Sequence, residues 1–302
     1  MNIRRRLLKA NQRAFHVMTR GKSPEELHEL AEAKSPTMRV GHLTVLCQEL
    51  GERGEVEQEK AVAAELLGLA HGSEKLSYRT MVSALSCVAN SYERREEHAA
   101  AVPLRDELVL IEQGMHGPTS PQTISALVRL TVDLRKCGDL VRVVEVERKI
   151  LERTVKQCGP GDPVTLSLRA QLGADLCQLG AHGESIAELE IVAALLAVST
   201  ADGMKARQWL ARNLAMEKDF AAALLIREEI VDERRRSLGP EDRETLVAIE
   251  YVASMHFALG HPALAKQLLE GALASRERRF GDADPQTQAA KRRLAENFGP
   301  FD

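Results

Sequence analysis

Aromatic side chains are scarce in this chain: six Phe, three Tyr and one Trp make up 3% of 302 residues. A β-sandwich or barrel of that length needs more aromatic and β-branched bulk on its pleated faces, so the shortage argues against sheets. No apolar run reaches 18 residues, and no secretory apolar stretch follows the start, so neither a membrane span nor export is expected. Cysteine is sparse as well. Five residues, odd in number and without a C-x-x-C pair, argue against a disulfide framework or structural zinc. They point to a reducing compartment, with the cytoplasm as the expected location. Charge of one sign is also missing: 41 basic residues against 44 acidic leave −3, so no global field points to nucleic acid.

Ala, Leu, Glu and Arg dominate what is there, and 44% hydrophobic with 28% charged residues is the composition of an ordered, all-α chain. The charge is unevenly spread. Residues 1–22 carry Arg4, Arg5, Arg6, Lys9, Arg13, Arg20 and Lys22 and no Asp or Glu. Segment 1–32 is therefore read as a basic N-terminal helical segment. It is either a solvated, frayed helix or a targeting or membrane-surface segment.

The decisive feature is an internal repeat. Gly117-Pro118-Thr119-Ser120-Pro121-Gln122-Thr123 returns as Gly159-Pro160-Gly161-Asp162-Pro163-Val164-Thr165. It returns again as Gly239-Pro240-Glu241-Asp242-Arg243-Glu244-Thr245 and as Gly281-Asp282-Ala283-Asp284-Pro285-Gln286-Thr287. The period is 42 residues, with four missing from the unit that begins at 159. Gly and Pro stop one helix, and Ser, Thr or Asp caps the next. Units are expected at 33–74, 75–116, 117–158, 159–196, 197–238 and 239–280, with a last helix after 285.

Aligned units agree column by column. A large column reads Leu46, Val88, Leu130, Leu172, Leu210, Val252, and beside it runs a small one, Cys47, Ala89, Thr131, Gly173, Ala211, Ala253. Apolar residues at i, i+3, i+4 and i+7 mark one helix face, and the small column lets a partner helix approach closely. The turn inside each unit falls at Gly54, Gly138, Gly180 and Gly260, with Glu96 and Lys218 in the other two. A second helix follows with its own small column, Ala101, Val143, Ser185, Ala223, Ala265, which Glu59 breaks.

Large–small–large helix–turn–helix units resemble tetratricopeptide repeats. The 42-residue period with its Gly-Pro-x-Asp-Pro-x-Thr loop resembles the kinesin-light-chain type. The resemblance implies a right-handed α-solenoid over 33–298, about six repeats and a capping helix, whose first helices line a groove for a peptide or helix. It implies no reaction and no cofactor. Runs of asparagine usual in kinesin-light-chain first helices are missing here, since only Asn90 and Asn213 stand in that region.

Catalytic signatures are lacking. Gly21-Lys22-Ser23 has no upstream glycine for a phosphate loop, there is no H-E-x-x-H or G-x-S-x-G, and Asp282-Ala283-Asp284 lacks the rest of a calcium loop. His256 and His261 read as one packed and one surface histidine. The expectation is a non-enzymatic protein-interaction scaffold without metal or cofactor.

Groove positions in the second and third units include Asn90, Arg94, Arg129, Arg135 and Lys136, and Arg212 joins them from the fifth. An amide among arginines suits an acidic segment or a C-terminal carboxylate. Asn90 with Arg129 one repeat later partly resembles the carboxylate clamp of some chaperone-binding tetratricopeptide domains, although the other clamp positions differ. An ordinary solvated face stands as the competing reading. Trp209 is expected in inter-helix packing or at a peptide, and Phe257 on the groove. Phe280, Leu294 and Phe298 are candidates for a terminal face that is capped or buried in a second copy. A further alternative is a regulatory or targeting protein whose basic start meets nucleic acid or an anionic membrane while the repeats dock elsewhere.

Overall fold

The computed structural model describes residues 35–72 and 76–299. The basic segment 1–32, with Gly21-Lys22-Ser23, lies outside the described residues. Among those described are thirteen helices and no strand. They are α1 Pro36–Arg53, α2 Val56–Ala70, α3 Tyr78–Arg94, α4 His98–His116, α5 Pro121–Lys136, α6 Leu140–Cys158 and α7 Pro163–Leu179. The rest are α8 His182–Leu195, α9 Ala201–Met216, α10 Phe220–Ser237, α11 Arg243–Ala258, α12 Pro262–Phe280 and α13 Pro285–Phe298. Odd-numbered helices are the first helices of the repeats and even-numbered ones the second. The described residues form two compact units that divide after Arg153, within α6.

The recurring loop sets the joints. In all four copies a glycine takes a positive φ that L side chains rarely adopt: Gly117 at 86°, Gly159 at 95°, Gly239 at 96° and Gly281 at 83°. Ser120, Asp162 and Asp242 then cap the following helix, each accepting a backbone N–H, and the next residue occupies the first helical turn. The threonine that closes each loop is buried. Thr123, Thr165 and Thr245 donate their hydroxyls to the carbonyls of Gly117, Gly159 and Gly239, each at 2.8 Å. In the fourth copy Thr287 turns to the cap instead and lies 3.2 Å from Asp284 Oδ2. The unit lacking the loop opens α9 with Thr200 as its cap.

In unit 1, α1 packs on α2 and α3, and α3 and α5 pack on the intervening α4. Leu43, Leu46, Leu50, Leu66, Leu85 and Val88 form its apolar centre. Cys47 and Ala89 are wholly buried at the small positions. Glu59, at the break in the second small column, is only 2% exposed. Arg94 clasps its carboxylate through Nε at 3.1 Å and through Nη2, with Arg95 at 3.9 Å. The first repeat therefore packs around an ion pair where its neighbours use alanine or valine.

Unit 2 runs from the end of α6 through α13, with α7 touching α8 and α9 and each later helix packing on its successor. Two helices approach closely at Gly173, where a Cβ would stand 2.5 Å from Leu189 Cγ. Ser185 Oγ donates to the Gly173 carbonyl at 2.6 Å across the same seam. The three terminal apolar residues are engaged within the unit. Leu294 is buried, Phe298 meets Phe257 edge-on at 5.7 Å, and Arg243 lies 4.0 Å over the Phe280 ring. Phe257, expected on the groove, is thus partly covered by the last helix.

Candidate functional site

A cavity of about 430 Å³ opens in unit 1 among α3, α4 and α5. Three helical stripes build it: Val82 and Ser86 from α3, Arg105, Leu108 and Glu112 from α4, and Pro121, Gln122, Ser125, Ala126 and Arg129 from α5. Spacings of three, four and seven residues bring each set onto one side of its helix. Arg105 and Glu112 are seven residues apart, so roughly 10 Å of helix separates the cationic end from the anionic one, with Leu108 between them.

At the cationic end Arg105 is 1% exposed. Its Nε donates to Asp133 Oδ2 at 2.9 Å, and its Nη2 donates to Asn90 Oδ1 at 2.9 Å and Glu93 Oε2 at 2.8 Å. Its Nη1 is buried without a hydrogen-bond partner. Arg129 Nη1 approaches the same Asn90 oxygen at 3.5 Å. At the anionic end the Tyr78 hydroxyl donates to Glu112 Oε2, and His116 Nε2 stands 3.7 Å from that oxygen. Burial, and then the bond to Glu112, push the Tyr78 phenol up to about 12. Tyr78 therefore stays a donor at any physiological pH.

The structure separates the six groove candidates by what they touch. Asn90 and Arg129 meet at the cavity. Arg94 and Arg135 instead neutralise buried carboxylates, those of Glu59 and Glu147. Lys136 is exposed and makes no ion pair among the described residues. Arg212 is exposed in unit 2, with its guanidinium carbon 5.5 Å from the Trp209 ring centre. Trp209 is half-buried and packs against the apolar cluster around Leu210 and Leu189.

A buried polar column went unread in the sequence. Ser91, Asp133, Asp175 and Asn213 occupy one position of successive first helices, and all are fully buried. His98 at the head of α4 hydrogen-bonds Asp133 Oδ1 at 2.8 Å, and His182 at the head of α8 meets Asn213 Oδ1 at the same distance. The position follows the large–small pair by three residues. Its changing side chains, Ser, Asp, Asp and Asn, hid a shared polar role. Arg105 was missed for a related reason, because it lies on a second helix. Among the described residues no group of three or more His, Cys, Asp and Glu side chains is placed to hold a metal ion. None of the described helices is long and apolar enough to cross a membrane.

Residues 245–286 match the family model described as tetratricopeptide repeat. No curated protein matches the chain in sequence. Among solved structures, a kinesin-light-chain protein of Podospora anserina with nearly identical TPR-like repeats is 19% identical, with a TM-score of 0.58 over 68% of this chain and 98% of that one. A signal-transduction ATPase of Pyrococcus horikoshii with a tetratricopeptide repeat sensor has a TM-score of 0.61 at 11% identity, covering 89% of this chain and 40% of its own. A tetratricopeptide repeat protein of Parabacteroides merdae has a TM-score of 0.52 at 13% identity, covering 86% of this chain and 90% of its own. The loops, the large–small seams and these likenesses agree on the fold: helix–turn–helix repeats of the tetratricopeptide kind, matched in sequence over residues 245–286 and similar in structure to the kinesin-light-chain repeats of Podospora anserina.

Proposed function

We propose that the chain is a non-enzymatic scaffold for protein–protein interaction, working in the cytoplasm and holding a segment of a partner along its first helices. In unit 1 the segment anchors an acidic side chain or a C-terminal carboxylate in the cavity between α3, α4 and α5. The observation that carries this reading is the free Nη1 of Arg105, a buried cation donor lining a cavity beside Arg129. An unsatisfied donor in a low-dielectric site carries an energetic penalty, and a carboxylate oxygen removes it. Leu108, Val82 and Ala126 supply apolar wall for the stem of the side chain, and the Glu112 carboxylate, held by Tyr78, offers an acceptor for a backbone N–H at the far end.

The test uses a fluorescein-labelled peptide of alternating Glu and Leu with a free C-terminus, followed by anisotropy. Binding should weaken with added salt, because the recognising charges are partly exposed. Arg129→Glu should weaken it at least tenfold. Arg129 is exposed and holds no buried carboxylate, so the variant should fold as the parent does. Equal affinity in the variant overturns the assignment.

A further inference from the structure

Residues 75–116 and 197–238 occupy the same places in the repeat, 122 positions apart. Arg105 of α4 therefore corresponds to Arg227 of α10. The two arginines have opposite surroundings. Arg105 has Asn90, Glu93 and Asp133 as partners, whereas the corresponding positions around Arg227 hold Arg212, Ala215 and Met255. Every acid or amide that compensates the first arginine has become a neutral residue or a second cation.

The contacts of unit 2 agree with that substitution pattern. Arg227 is half-buried, its Nε has no hydrogen-bond partner, and its guanidinium carbon lies 4.5 Å from the Tyr251 ring centre. Arg212 likewise has its guanidinium carbon 5.5 Å from the Trp209 ring centre, and it lies near the Cys177 thiol. No carboxylate pairs with Arg212 or Arg227 among the described residues. Burial pulls the Arg227 guanidinium down, and the like charges of Arg234 and Arg212 add to the effect. The aromatic rings attract both guanidinium groups without using up N–H donors.

We propose that Arg212 and Arg227 bind a phosphate monoester dianion, carried on a phosphorylated serine or threonine of a partner segment. One bidentate guanidinium suffices for a carboxylate. Two uncompensated cations, one of them half-buried, call for a ligand of charge near −2, and a phosphomonoester carries −1.5 to −2 at neutral pH. The peptide source rests on the groove reading above, since Arg212 lies on a first helix, whereas the phosphate chemistry does not depend on it.

Trp209, the sole tryptophan, is a built-in reporter. The intact chain is titrated at constant ionic strength with inorganic phosphate, with acetate, and with one serine peptide in phosphorylated and plain forms. Phosphate should give a saturable change in Trp209 emission that acetate does not, and the phosphopeptide should bind at least tenfold more tightly than inorganic phosphate. Arg227→Met should weaken phosphate binding at least tenfold without lowering the melting temperature in chloride, because it removes an uncompensated cation. Arg212→Gln, at an exposed position, should weaken binding similarly and covers the case in which the first variant does not fold. No saturable phosphate response, an equal response to acetate, or unchanged affinity in Arg212→Gln overturns the site. Equal affinity for inorganic phosphate and phosphopeptide overturns the peptide source alone. The unit 1 reading has its own test at Arg129, so the two fail separately.

Discussion

Glu96 and Lys218 sit in the turns between first and second helices with φ of 60° and 65°, backbone that Gly54, Gly138, Gly180 and Gly260 supply elsewhere. An L side chain in that region costs roughly 1–2 kcal/mol, which glycine avoids at some loss of unfolded-state entropy. Glu96→Gly and Lys218→Gly should each stabilise the protein by about 1 kcal/mol, read as a rise in the urea midpoint with unchanged slope. A lowered midpoint in both would mean that the turn is not where the strain lies. At this scale the sequence exposed the turn but not the ion pairs. Arg94 and Arg135 stand on first helices near Asn90 and Arg129, so all four read as one groove face, an amide among cations. Glu59 looked like a gap in a small column and is the buried partner of Arg94. A linear pattern records which face a residue occupies, not which oxygen it meets.

Helix junctions were the most legible elements, because glycine, cap and proline each have a local cause. The clasp made by the closing threonine was not legible, since it joins residues six apart across a bend. The last junction differs and has a pH signature. Asp284 caps α13 through the amides of Gln286 and Thr287 and pairs with Arg243 Nη2 at 2.7 Å. Arg243 first, and then the Thr287 amide, hold its carboxyl at about 2, below the ordinary 3.8. A depressed folded-state value stabilises above the ordinary value, and that contribution is lost as pH falls from about 4 through about 2. Amide protection over residues 285–298 should drop in that window in the parent. Asp284→Asn, which keeps a capping oxygen but loses the charge, should show no such step. A step of equal size in the variant would place the titrating group elsewhere.

Across the whole chain, two compact units share one repeat plan, and repeat stability is set by each repeat and its nearest neighbours. Gly173 lies in unit 2, and so does Trp209, the only indole, so a single fluorophore reports that unit while far-ultraviolet circular dichroism reports every helix. Gly173→Ala forces a methyl group toward Leu189 and should cost about 1–3 kcal/mol. Its fluorescence midpoint in urea should fall further than its dichroism midpoint. Equal shifts would show the chain unfolding as one cooperative block. The all-α repeat plan was readable because its period is written in loop residues. The candidate sites were less so, because Arg105 and Arg227 stand on second helices and differ only in what surrounds them. The threonine clasp bears on how such differences arise. Three of the joints are closed by a hydroxyl, a glycine carbonyl and a cap, all of which travel with the loop. Groove residues can therefore be exchanged between repeats without retuning the joints, which makes the chain a rack of interchangeable sockets on a fixed rail.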